Sequence, residues 1–131
     1  MYGSHRSRYL INAMDEAAMK DRTKAFALRV IKLTESLPAT RAGEVIGKQL
    51  LRSATSVGAN YRASRRGKSR PDFIHKLAIV EEEADESAYW LELLVESGIV
   101  PQAQLADLMR ECDEITAIIV ASIKTAKQRR D

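Results

Sequence analysis

Arg62, Arg65, Arg66, Lys68 and Arg70 crowd one short stretch, YRASRRGKSR, with Tyr61 and Ser64 beside them. Positive charge at this spacing suits phosphate. Each contact releases condensed counterions, and guanidinium groups grip phosphate oxygens through paired hydrogen bonds. A plainer role is open to the same residues. Cations at the end of a helix complement its dipole, and Arg66 and Lys68 fit that role well. Only one aromatic lies close by, so stacking on unpaired bases is a weak feature of the segment.

The second charged constellation is acidic: Glu81, Glu82, Glu83, Asp85 and Glu86. Unpaired buried carboxylates are too costly to retain, so this block must pair or face water. Arg52, Arg62 and Arg65 are the expected partners. With Val80 and Ala84 inward, Glu82 and Glu86 are expected to share a flank with Ile79 and Tyr89. Glu83 is expected toward the other flank, in line with Ser87. Ser53, Ser56 and Asn60 lie on one side of the preceding apolar segment, within reach of Arg52, Glu83 and Glu86. These six residues read as a polar network that fixes helix register. A metal reading competes with it. EEADE (82–86) followed by ECDE (111–114) loosely resembles the paired acidic motifs of all-α nucleotide pyrophosphatases, which hold Mg²⁺ between helices. The second motif ends in Glu114 where an Asp is expected, and no nucleotide-binding residues stand out. The Glu-x-x-His repeats of a di-iron bundle are absent. His75 has no second His or Cys at ligand spacing and reads as a surface or interhelical residue. Cys112 falls on an apolar stripe and reads as a core filler. No cofactor or metal is expected.

Helices must position these groups. The chain has 131 residues with 6 Gly and 3 Pro. Ala, Leu, Ile, Glu, Lys and Arg predominate, which favours helices over short strands and tight turns. That length suits a single domain with one core. Net charge is +3, too mild by itself to mark a nucleic-acid binder. One cysteine gives neither an internal disulfide nor a zinc cluster and loosely suggests a reducing, cytoplasmic setting. No apolar run approaches the roughly 20 residues that span a bilayer. The leading MYGSHRSRYLINAM lacks the apolar block of a signal peptide. The single bundle domain spans 1–131, within which residues 1–12 read as a flexible leader or a tag remnant, with Gly3-Ser4-His5 compatible with the latter.

Asn12 is the first expected helix cap, with Asp15 and Glu16 in the first turn. Phe26, Val30, Leu33 and Leu37 form the first apolar stripe, and Pro38 closes it. Thr40 caps a second segment, whose stripe is Ile46, Leu50, Ala54, Val57 and Tyr61. Its glycines predict close approach of another helix. Gly67 stops it, and Ser69, Pro71 and Asp72 restart the chain. Phe73, Leu77, Val80, Ala84, Ser87, Leu91 and Leu94 alternate in steps of four and three. Such spacing suits helices crossing at about 20°. Tyr89 and Trp90 cannot both enter the interface that takes Leu91, so one must find another surface. Gly98 ends this segment. After Pro101, Leu105, Leu108, Cys112, Ile115 and Ile119 form the last stripe, and residues 127–131 read as a frayed basic tail. Short connections make consecutive helices antiparallel, giving an all-α, up-down-up-down four-helix bundle.

Residues 37–100 resemble the four-helix-bundle family named after ribosomal-RNA intervening-sequence proteins. QLLRSATSVGAN, DFIHKL and EADESAYWLELL carry the resemblance together. It implies a bundle that assembles as a homopentamer, in which +3 per chain would become +15. It also implies kinship with accessory proteins of diversity-generating retroelements, which bind nucleic acid and a reverse transcriptase. No catalytic residues are implied. The combined expectation is a non-enzymatic oligomer that binds RNA or DNA through Arg62, Arg65, Arg66, Lys68 and Arg70. A protein-binding scaffold is the alternative.

Overall fold

The computed structural model describes residues 2–129, with side chains from Glu16 onward. Four helices follow in order: α1 (Tyr2–Glu35), α2 (Arg41–Ser64), α3 (Arg70–Glu96) and α4 (Gln102–Gln128). No strand occurs among the described residues. The backbones of α2 and α3 pack most extensively, α3–α4 and α1–α2 follow, and α1–α4 is the slenderest seam. The diagonal pairs do not approach closely, so the chain forms the expected up-down-up-down bundle.

The stripes converge on one core. Phe26, Val30, Leu50, Val57, Leu77, Val80, Leu91, Leu94, Ile115 and Ile119 are essentially fully buried. Along α1 the stripe extends two turns further toward the N-terminus, through Thr23 and Met19. A buried hydroxyl needs a partner. The Thr23 hydroxyl donates to the Met19 carbonyl at 2.8 Å. A Cβ on Gly58 would lie 3.3 Å from Thr23 Oγ1, so this glycine lets α1 and α2 draw together. Cys112 is buried, with Sγ 3.3 Å from the Ala84 carbonyl. Desolvation pushes its thiol up to about 12, which leaves it protonated and inert at neutral pH.

The helix boundaries follow local chemistry, with one correction. Asn12 does not start a helix; α1 already begins at Tyr2 and runs through it. No proline interrupts that stretch, and a single interior Asn costs too little to break a helix. Side chains of the leader, His5 and Asp15 included, lie outside the described residues. Thr40 caps α2 by accepting from the Gly43 N–H at 3.1 Å, and Ser69 caps α3 by accepting from the Asp72 N–H at 3.2 Å. Of the basic tail expected at 127–131, Lys127 and Gln128 complete α4, Arg129 is extended, and Arg130 and Asp131 lie outside the described residues. At the end of α3, Gly98 takes φ +80° and lets the Val100 N–H reach the Leu94 carbonyl at 3.0 Å. This fold-back buries Val100.

Gly98 isolates backbone strain from packing, because a Cβ there would meet nothing within 4 Å. Gly98→Ala should therefore destabilise the fold by about 1–2 kcal/mol through the left-handed conformation alone. Urea unfolding checks this, and an unchanged midpoint would contradict it.

Candidate nucleic-acid interface

The basic segment forms the hairpin tip between α2 and α3, and hydrogen bonds stiffen it. Ser64 at the end of α2 donates to the Tyr61 carbonyl at 2.6 Å. The Lys68 N–H donates to Asp72 Oδ2 at 3.1 Å, and that carboxylate also pairs with Lys76 at 3.4 Å. The Lys68 N–H, followed by the Lys76 charge, holds the Asp72 carboxyl below its usual range.

The cations of the tip divide into two groups. Arg65 is committed to the fold. Its Nη2 donates to Glu16 Oε2 on α1 at 2.9 Å, and its guanidinium carbon lies 5.2 Å from the centroid of the Phe73 ring on α3. One side chain thus ties three helices together, and its hydrogen bond holds the Glu16 carboxyl below the usual range. Arg70 is also engaged, donating to the Arg129 carbonyl and fastening the end of α4 to the tip. Arg62, Arg66 and Lys68 are exposed. Among the described residues, their side chains have no hydrogen-bond or ion-pair partner. Exposed Lys127 sits on the same end of the bundle, because Arg129 docks beside the start of α3.

The polar network differs from expectation in its pairing. Arg52 donates to Glu83 Oε2 at 2.9 Å and also bonds Glu86 Oε2. Glu83 and Glu86 therefore share the α2-facing flank, as residues three apart on a helix should. Arg62 and Arg65 take no part. Trp90 Nε1 donates to Glu86 Oε2 at 3.0 Å, a partner that sequence reasoning missed. That indole bond, followed by Arg52, holds the Glu86 carboxyl below its usual range. Beneath the ion pairs, buried Ser87 donates to buried Ser53 at 2.9 Å. Asn60 turns back to the Ser56 carbonyl at 2.9 Å instead of crossing to α3. Trp90 packs against the core, and its neighbour Tyr89 stays 52% exposed.

The acidic pair of motifs does not assemble a metal site. Glu83 and Glu86 face α2. Glu111 faces α1, where it receives two hydrogen bonds from Arg22 at 2.6 and 3.0 Å. Glu114 lies 3.6 Å from the same arginine. Among the described residues no three Asp, Glu, His or Cys side chains converge as ligands would. The Arg22 pairs and the Arg29–Asp107 pair at 2.7 Å lace the slender α1–α4 seam. Their partners lie too far apart in the chain to be paired from spacing. His75 is exposed. A groove of about 340 Å³ between α3 and α4 is lined by Ala88, Glu92, Met109 and Asp113, without a nucleophile and base side by side.

The carboxyl shifts set an acid limit on stability. Folded Glu16 and Glu86 hold their protons less tightly than they would in the unfolded chain. Their contribution is present above the unfolded carboxyl value, about 4.3, and is lost as pH falls through the lower folded value. Glu86→Gln keeps an acceptor for Trp90 but removes the charge facing Arg52. Its urea midpoint should fall less than that of the wild type between pH 6 and pH 3; parallel curves would contradict this.

Comparisons with known proteins converge on one family. Residues 15–121 match the family model described as 23S rRNA-intervening sequence protein. No functionally curated protein matches the chain at a significant level. A crystal structure from Bacteroides thetaiotaomicron, described as a protein of unknown function from the S23 ribosomal protein family, is 38% identical with a TM-score of 0.78. The match covers 83% of this chain and 97% of that one. No helix among the described residues is long and apolar enough to cross a membrane. With its four helices in that arrangement and most of its length matched, this chain belongs to the 23S rRNA-intervening sequence protein family.

Proposed function

We propose that this protein binds nucleic acid, without catalysing a reaction, through the basic end of its bundle. One observation carries the reading. Arg22, Arg29, Arg52 and Arg65 are spent on carboxylates, whereas Arg62, Arg66 and Lys68 are left to solvent beside one another. The helix-dipole role needs no such concentration, since a single cation satisfies a helix end. The family's name, tied to intervening sequences of 23S rRNA, makes RNA the first ligand to try and DNA the second.

Self-association would strengthen the field. A homo-oligomer, a pentamer by the resemblance of the sequence, would place several copies of the basic end together and multiply the +3 of one chain. Large apolar side chains left at the surface, Leu28 at 56%, Val45 at 56% and Tyr89 at 52% exposure, support an interface somewhere on the bundle. The same residues favour a second reading, in which the bundle is a scaffold for a protein partner such as a reverse transcriptase.

Neutralising the free cations tests the primary reading. Arg62→Gln/Arg66→Gln/Lys68→Gln leaves the core untouched, so the thermal transition should hold. Binding to a labelled RNA should weaken at least tenfold at 0.1 M salt. The slope of log affinity against log salt should flatten by about 3 per engaged protomer. Unchanged affinity in the triple variant would contradict the assignment. Capture of a protein partner by a chain that binds no nucleic acid would establish the scaffold instead.

A further inference from the structure

We infer that the basic end engages the phosphate backbone of a double-stranded nucleic acid and does not read the bases of a single strand. This rests on the nucleic-acid reading above and narrows it to a ligand class. Proteins that hold single strands pair their cations with open aromatic faces on which successive bases stack. The basic end offers no such face among the side chains described. Tyr61, the aromatic inside the basic segment, is 5% exposed. Phe73, at the start of α3, packs against the core and has the Arg65 guanidinium over its ring at 5.2 Å. Tyr89 is open, but it lies 19 residues beyond Arg70 along α3, about 28 Å up the helix from the tip.

The cations have a matching shape. Arg62 lies in the last turn of α2, Arg66 and Lys68 lie in the connection that follows, and Lys127 stands across α3 on α4. Neighbouring helix axes lie about 8–10 Å apart, so charges borne by α2, by the connection and by α4 are spread over roughly 15–20 Å. Over that distance a duplex presents about ten phosphates, one per ~1.7 Å of axis, whereas a single strand presents fewer and holds them less rigidly. The surface is also fixed. Arg65 bonds Glu16, and Arg70 bonds the Arg129 carbonyl, so the free cations project from an end whose elements are already tied together. Backbone elements held at fixed spacing suit the regular phosphate spacing of a duplex, while the side chains adjust to reach individual phosphates. Contacts to phosphate fix position and orientation and carry no sequence information.

The test is a fluorescence titration of the full chain with a mixed-sequence 20-nucleotide strand and the corresponding duplex, as RNA and as DNA, between 50 and 200 mM NaCl. The duplex should bind at least fivefold more tightly than the strand in both chemistries, and shuffling the sequence should change affinity less than twofold. The triple glutamine variant should lose duplex binding. A strand bound as tightly as the duplex, or a strong dependence on sequence, would overturn this inference and leave the broader reading standing. Failure of both strand and duplex to bind would overturn the broader reading itself.

Discussion

The seam between α2 and α3 is the constraint on which the molecule depends. The two helices can lie close because small residues face each other there. Ser53 meets Ser87 through a buried hydrogen bond, and Ala54 and Ala84 are buried in the same core. Any larger side chain at the serine pair would force the helices apart in an interior packed to crystal-like density. Outside the serines, Arg52 spans the seam to two carboxylates, and Trp90 steadies one of them. A half-exposed arginine of this kind adds little to stability by itself. Its contribution is to fix register, since a slip of one turn would strand both acids. That register sets where the α2–α3 connection falls, and hence where the basic residues are held.

Charge then divides into two populations. Arg22, Arg29 and Arg52 on the helix faces pair with carboxylates of a neighbouring helix, and the first two lace the α1–α4 seam. The hairpin tip gathers cations of both kinds in one short stretch. Two of its cations are used to tie helices together, and the remaining ones are supplied with no acid among the described residues. The acidic block on α3 sits one or more turns away, where Arg52 meets Glu83 and Glu86. Separating acids from free cations along the bundle axis keeps the near-neutral chain from cancelling its own local field.

Much of the fold was legible from residue spacing. The alternating fours and threes from Phe73 to Leu94 identify the side of α3 that is buried, and Pro38, Gly67 and Gly98 mark the ends of α1, α2 and α3. The start of α1 was not legible, because a good capping residue such as Asn12 is also tolerated inside a helix. The site was legible in part. Composition identified the basic cluster, but only coordinates separate Arg65 and Arg70, which serve the fold, from Arg62, Arg66 and Lys68, which do not. Likewise, periodicity placed Glu83 and Glu86 on opposite flanks by treating small angular differences as decisive. A long arginine reaching from α2 gathers both. The Arg22–Glu111 bridge joins residues 89 apart in sequence, and no local pattern could have paired them.

An NMR titration of the isotope-labelled chain with a short duplex addresses the assignment of the basic end most directly. Amide shifts should concentrate at residues 62–70 and at the last turns of α4, with the Arg52–Glu83–Glu86–Trp90 region undisturbed. Shifts centred on Tyr89 and Val45, with the hairpin tip silent, would contradict it.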